Sequence, residues 1–249
     1  MDSFGNRQLV TNQIIRIPTN SSQSLYYLPL SYGWVASRPD KTGGFSFNWS
    51  QSVFLTPLAS PRSDFQTAAM NTKAGGNYTT INAGIIRQQN LGHDWSLSVN
   101  LNGQWASEPL INNEQFALGG TSGVRGFQEG EAYGDEGWRT LWDLYAPPIN
   151  VGYFPTASGE VPTILRCSVF MDYGQIHDLD LPKSEVNFLT EWGTGCSFLL
   201  TAGEHFDARL TLAWALNGAA AGPNATANRV SVQTPAGLAQ AYFSIGTQF

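Results

Sequence analysis

The segment WSLSVNLNGQWA, residues 95–106, alternates without a break. Trp95, Leu97, Val99, Leu101 and Trp105 point one way, and Ser96, Ser98, Asn100, Asn102 and Gln104 the other. A period of two over this length predicts a β-strand. The polar face carries no charge, and the apolar face begins and ends with tryptophan. Ten residues rising ~3.3 Å each, on a strand tilted by ~40°, cover roughly 25 Å along a barrel axis. That is the height of the apolar band on a membrane barrel, with an aromatic residue at each interface.

The pattern recurs. YYLPLSYGWVA sets Tyr26, Leu28, Leu30, Tyr32 and Trp34 on one face, FSFNWSQSV sets Phe45, Phe47, Trp49 and Val53, and FDARLTLAWAL sets Phe206, Leu210, Leu212, Trp214 and Leu216. Weaker alternation predicts strands over 7–18, 78–89, 138–146, 163–175, 188–200 and 239–249. About ten strands are predicted, and no helix of comparable signal. Short links such as QNLGHD and LTAGEH contrast with long ones at 55–77, 107–137 and 217–236. Tight turns on one rim and long loops on the other predict an all-β, antiparallel transmembrane β-barrel. No linker divides the chain, so residues 1–249 read as one barrel domain.

Composition narrows the alternatives. Only 13% of residues are charged, about half the usual share, so the chain avoids charge without being greasy. Its apolar runs fall far short of the roughly 20 residues of a membrane helix. That leaves a membrane barrel or a soluble β-sandwich binding module, in which the tryptophan-bearing faces would meet in a core. A net charge of -6 without Lys/Arg clusters argues against nucleic acid as a partner. Two cysteines, Cys167 and Cys196, fit neither a disulfide framework nor a zinc site. The start MDSFGNRQLV lacks the basic and apolar regions of a signal peptide. An exported protein with this start is expected to have a different natural N-terminus.

The end of the chain, AYFSIGTQF, sets Phe243, Ile245, Thr247 and Phe249 on one face. Any β protein can end on such a strand, but alternation closing on an aromatic also resembles the signal by which outer-membrane barrels are recognised for insertion. The long link at 107–137 contains LGGTSGVRGFQEGEAYGDEGW, with seven glycines and a single arginine. A glycine-rich loop alone is ordinary surface, with its arginine in solvent. Here, however, a later strand, ILRCSVFMDYG, has Ile164, Arg166, Ser168, Phe170, Asp172 and Gly174 opposite an uncharged face of Leu165, Cys167, Val169, Met171 and Tyr173. The uncharged face reads as the lipid side, so Asp172 points into the lumen. Glycines allow a loop to fold back into a barrel, where its arginine could meet that carboxylate as a bidentate pair. In a wide, water-filled lumen such a pair is expected to be partly screened.

Two motifs in order carry a resemblance. Val124, Arg125, Gly126 and Phe127, preceded by EQFALGG and followed by GDEGW, are similar to the lumenal loop of an outer-membrane superfamily of two-partner-secretion transporters and barrel-assembly insertases. Phe170, Asp172 and Gly174 of FMDYG match its second signature, Phe-x-Asp-x-Gly. The run LNGQWASEPLINNEQFALGGTSGVRGF and the upstream LPLSYGWVASRPDKTGG most resemble the haemolysin secretion/activation branch of transporters. Many of that branch carry Tyr after Val-Arg-Gly, whereas Phe127 here is common in the insertases. The resemblance covers about residue 25 to the C-terminus. It implies a sixteen-stranded barrel preceded by POTRA domains, of which this chain resembles the C-terminal ten or so strands, with no POTRA-like stretch.

The implied function is passage of an unfolded secreted client through the lumen in the bacterial outer membrane, without cofactor or nucleotide. The barrel-assembly machinery is the implied partner during biogenesis, and the insertase activity is the alternative. Catalysis is not expected. His93 and His205 fall on the short-turn rim and His177 on the long-loop rim, and Ser122 lies outside any Gly-x-Ser-x-Gly elbow. Finally, a loop closing symmetrically from 175 to 188 would set Cys167 directly opposite Cys196 on the lipid face. There cysteine can serve as a small apolar residue.

Overall fold

The computed structural model describes residues 25–54, 60–156, 159–180, 188–203, 206–218 and 234–247. Its strands are β1 (Pro29–Asp40), β2 (Gly43–Phe54), β3 (Thr79–Gly92), β4 (Trp95–Ala106), β5 (Phe116–Ala117), β6 (Tyr133–Gly134), β7 (Glu136–Tyr145), β8 (Ile149–Thr156), β9 (Gly159–His177), β10 (Phe188–Ala202), β11 (Phe206–Ala215) and β12 (Ala239–Thr247). One helix, α1 (Arg62–Ala69), lies between β2 and β3. Ten strands form one sheet in the order β1-β2-β3-β4-β7-β9-β10-β11-β12, with β8 also paired to β9. Every ladder in it is antiparallel. The long β9 carries β7 along residues 168–177 and β8 along 159–165. β7 and β8 therefore run in line, and the wall has nine positions.

Alternation decides which face meets lipid. Trp105, Gly103, Leu101, Val99 and Leu97 of β4 stand opposite Ile81, Ala83, Ile85, Arg87 and Gln89 of β3, on the outer face. The inner face is polar and satisfies itself across strands. Ser31 meets Ser52 at 2.7 Å, Gln88 donates to Ser98 at 2.7 Å, and Ser197 meets Thr211 at 2.8 Å.

The sheet also curls. Arg125 bonds Asp143 of β7 and Asp172 of β9, its carbonyl lies against Gly193 of β10, and Gly126 touches the Trp214–Ala215 backbone of β11 and Tyr242 of β12. Five neighbouring strands spaced ~4.8 Å apart would place β7 and β12 roughly 19 Å apart if flat. Two adjacent residues reach all five because the wall wraps around them. β1 and β12 are its edges, and no ladder joins them among the described residues.

Three sequence expectations change. The link at 55–77 contains α1, which sequence alternation did not signal. The helix buries only Phe65 and Ala69 and ends at Met70 with a left-handed φ of 49°. These side chains join Phe54, Tyr78, Ala106, Leu110 and Ile111 in one apolar cluster. Phe54, Tyr78 and Ala106 continue the inner-face parity of β2, β3 and β4, so the cluster caps the lumen side of the long-loop rim.

Next, β8 was not anticipated. Pro147 and Pro148 precede it and Pro155 is its penultimate residue, leaving only five alternating residues, and its pairing with β9 shifts register between Asn150 and Gly152. The strand predicted over 7–18 lies outside the described residues.

Finally, Cys196 faces Val169 and Cys167 faces Phe198, two places from the expected register. The β9–β10 link closes between His177 and Phe188, not symmetrically from 175. Both cysteines are on the outer face and both are free.

Candidate functional site

The link between β4 and β7 is anchored before it enters the lumen. Asp135, itself buried, accepts hydrogen bonds from Leu110 N at 2.8 Å, Gln115 Nε2 at 3.0 Å and Leu179 N at 2.8 Å. One carboxylate thus joins both ends of the loop to the chain after β9. The two-residue ladder of β5 with β6 brings the arms together. Glycines then close the tip, where Gly123 N donates to Gly120 O at 3.1 Å and Val124 N to Leu118 O at 2.9 Å.

The tip presents Val124, Arg125, Gly126 and Phe127 to the inner wall. Arg125 Nε donates to Asp172 Oδ2 at 2.7 Å and Nη2 to Oδ1 at 2.7 Å. On its other side Nη1 donates to Asp143 Oδ1 at 2.8 Å and Nη2 to Oδ2 at 3.2 Å. Two bidentate forks hold one guanidinium, the geometry for which arginine is suited and lysine is not. The Arg125 backbone N adds a third contact to Asp172, at 3.0 Å. The Phe170 ring underlies the cation, 3.6 Å from Cζ to the centroid, a cation–π contact. Burial opposes the charge on Arg125, but hydrogen bonds to Asp172 and then Asp143 outweigh it and hold the guanidinium above its ordinary range. The Asp172 side chain is 0% exposed and that of Arg125 13%, so the carboxylate is fully buried while the guanidinium keeps a small exposed edge, and the pair lies between a buried and a screened one.

Small residues make the seat. Gly126 has φ +103°, and a Cβ on it would lie 2.6 Å from Trp214 C and 2.7 Å from Ala215 N, both backbone atoms. Only glycine fits that approach and that conformation. Gly193 stands opposite Ala215, and Gly195 opposite Ala213, and both alanines are fully buried. The Arg125 carbonyl and the Phe170 ring occupy the space where side chains at Gly193 and Gly195 would be. A Cβ on Gly174 would meet Leu118 at 2.6 Å and Val124 at 2.9 Å. Val124 and Phe127 pack with Ala215. Tyr242 of β12 accepts from Gly126 N at 3.1 Å, and its hydroxyl is 3.1 Å from Phe127 O.

Seven residues singled out from sequence therefore meet at one place: Val124, Arg125, Gly126, Phe127, Phe170, Asp172 and Gly174. Phe243 and Ile245 lie elsewhere, exposed on β12, and Phe249 falls outside the described residues. His93 is in the β3–β4 turn and His177 at the other rim, His177 ending β9 3.4 Å from Glu136; His205 lies outside the described residues.

Sequence reasoning missed Asp143, although a signal was present. Arg139, Leu141 and Asp143 alternate with Trp138 and Trp142 on β7, which places that carboxylate inward. It also missed a pair of buried acids. Glu131 in the loop accepts from Gln128 N at 3.0 Å, from Thr234 N at 2.5 Å and from the Thr234 hydroxyl. Glu191 of β10 is fully buried, both of its carboxyl oxygens lack a partner, and Glu131 is its acidic neighbour.

A strand wall apolar outside and polar inside, with a long loop seated on its inner face, defines an outer-membrane-type β-barrel with an occupied lumen. The family model for haemolysin secretion/activation protein ShlB/FhaC/HecB matches residues 30–198. The chain belongs to that family, whose barrels lie in the bacterial outer membrane. It is similar to the heme/hemopexin transporter protein HuxB of Haemophilus influenzae, 30% identical over 129 residues, 51% of this chain and 21% of that protein. HuxB of a second strain, Rd, is 32% identical over 100 residues, 39% of this chain and 16% of that protein. The chain thus spans about a fifth of the length of the curated relatives it matches. Among solved structures, CdiB from Escherichia coli superposes with a TM-score of 0.66 at 17% identity, covering 88% of this chain and 36% of that one. That likeness concerns the fold.

Proposed function

We propose that this chain forms part of an outer-membrane polypeptide transporter of the two-partner-secretion type, passing an unfolded client through its lumen. The loop between β4 and β7 is the gate. The observation that carries this reading is the double fork of Arg125 on Asp172 and Asp143. It is the ion-paired anchor of a glycine-hinged loop on the inner wall, beside the apolar contacts of Val124 and Phe127 and the Tyr242 hydroxyl, so loss of this one side chain weakens the seat most. Family membership supports the transporter reading over assembly of other barrels. The exposed Phe243 and Ile245, with Phe249, act as the signal read by the barrel-assembly machinery during biogenesis.

The test uses the full-length transporter with its client. Replacing Arg125 with Ala should reduce secretion strongly while the barrel still shows heat-modifiable mobility. Normal secretion by that variant would remove the gating role. Lost assembly of other outer-membrane proteins, with client secretion intact, would favour an insertase.

A further inference from the structure

The outer wall has a hollow that neither the gate nor the strand pattern explains. Ala83 of β3 and Gly103 of β4 stand directly opposite one another on the lipid face. Large side chains surround them. Trp138 of β7 is the partner of Gly103 on one side, and Phe47 of β2 bounds the other. Ile81 with Trp105 closes the end toward the long-loop rim, and Leu101 the end below. The cavity is about 520 Å³, within the range of roughly 300–1,000 Å³ typical of small-molecule sites. The side chains that project into it are all apolar. In a hydrocarbon surrounding, an unfilled hollow forfeits dispersion contacts along its whole lining.

We propose that this hollow is a binding site for one acyl chain of the outer-leaflet glycolipid, lipopolysaccharide. Two observations fix the occupant. The hollow opens on the lipid-facing side of the wall, so a hydrocarbon chain is what covers it. It also lies in the half next to the long loops, since Trp105 immediately precedes the last residue of β4 and Trp138 is the third residue of β7. Long loops of such barrels face the cell exterior, where the adjoining leaflet is lipopolysaccharide. Trp105 and Trp138, 50% and 40% exposed, flank the chain as rigid walls. The inference rests on membrane location and is independent of the transport reading.

The test is retention of lipid by the full-length protein in mild detergent, measured by native mass spectrometry. Purified lipopolysaccharide and phosphatidylethanolamine are titrated in separate arms. The filling variant is Ala83→Leu with Gly103→Ala. The nearest atoms to a Cβ on Gly103 are Gly137 O at 3.3 Å and Trp138 Cβ at 3.5 Å, so one methyl group needs a shift of only a few tenths of an ångström. Trp105→Ala, which removes a wall instead of filling the floor, is the second variant, and heat-modifiable mobility reports that each has folded. The wild type should keep one lipopolysaccharide at least five-fold more often than either folded variant, with no matching loss for phosphatidylethanolamine. Equal retention of lipopolysaccharide by the wild type and both variants overturns the site. Retention of phosphatidylethanolamine in its place overturns the assignment of the occupant.

Discussion

Removing the Arg125 side chain should release the loop without collapsing the barrel. The alanine variant keeps the backbone contact from residue 125 to Asp172 but loses four side-chain hydrogen bonds and the contact with Phe170. It leaves Asp172 buried beside Asp143 with no cation between them. Breaking one member out of a buried pair costs ~3–5 kcal/mol, and at 1.4 kcal/mol per tenfold the seated-to-withdrawn ratio shifts by roughly a hundredfold or more. Asp172→Ala should cost less, because Arg125 retains its Asp143 fork. Asp143→Ala should cost least, because the more buried fork survives. Arg125→Lys keeps the charge but not the forks, and should resemble alanine more than wild type. The assay is the open-time fraction of the full-length transporter in planar bilayers without client. The double variant Arg125→Ala/Asp172→Ala should fall short of the sum of the single changes by ~2 kcal/mol, within the range for residues in contact. Strict additivity, or an unchanged open fraction in Arg125→Ala, would refute the argument.

Further outcomes follow from the same geometry. Gly126→Ala should unseat the loop even with Arg125 intact, because its Cβ meets the β11 backbone at 2.6–2.8 Å; protease cleavage near residue 125 should appear in the variant alone. Glu191→Gln removes a buried carboxyl that has no hydrogen-bond partner and faces Glu131, so the folded wall should tolerate more urea than the wild type; a lower midpoint would contradict this. Trp95 and Trp105, at opposite ends of β4 and both exposed outward, should be quenched by lipid-attached quenchers placed in opposite leaflets. Shielding of both from lipid would reverse the faces of β4. Both cysteines should react with a thiol reagent after denaturation without reductant, since neither forms a bond.

The wall was largely legible in the sequence because period-two alternation is a direct imprint of a two-faced environment. β4 needed only its own twelve residues to be read, and β9 gave the inward direction of Asp172. What was not legible depended on tertiary contacts. Helix α1 buries two side chains and carries no long stripe, so nothing local separates it from a loop. β8 is short, with Pro147 and Pro148 before it and Pro155 near its end, so its alternation of Ile149, Val151 and Tyr153 with Asn150 and Gly152 spans only five residues. The Cys167 register failed because it assumed a symmetrical link, and a shift of two keeps every side chain on its face while changing every partner. Asp143 was visible as an inward carboxylate, but only the fold sets it beside Asp172. The expectation of a partly screened pair describes Arg125, which keeps some exposure, but not Asp172, which is fully buried because the loop itself fills the space around it.

The strip of wall beneath the tip bears glycine at 193 and 195 and alanine at 213 and 215, four positions that form a square on β10 and β11. While the loop is in place, that bareness permits close packing. On the proposed gating, a withdrawn loop would leave that strip as part of the lining of the passage, and the strip itself offers little to grip. Its backbone groups are already engaged in the strand ladders, and methyl groups are the largest projections. A moving chain would meet a smooth track on these four residues, bordered by Asp172 and Phe170 of β9. The small residues that let one segment sit tightly thereby leave a strip with no side chain of its own to hold another.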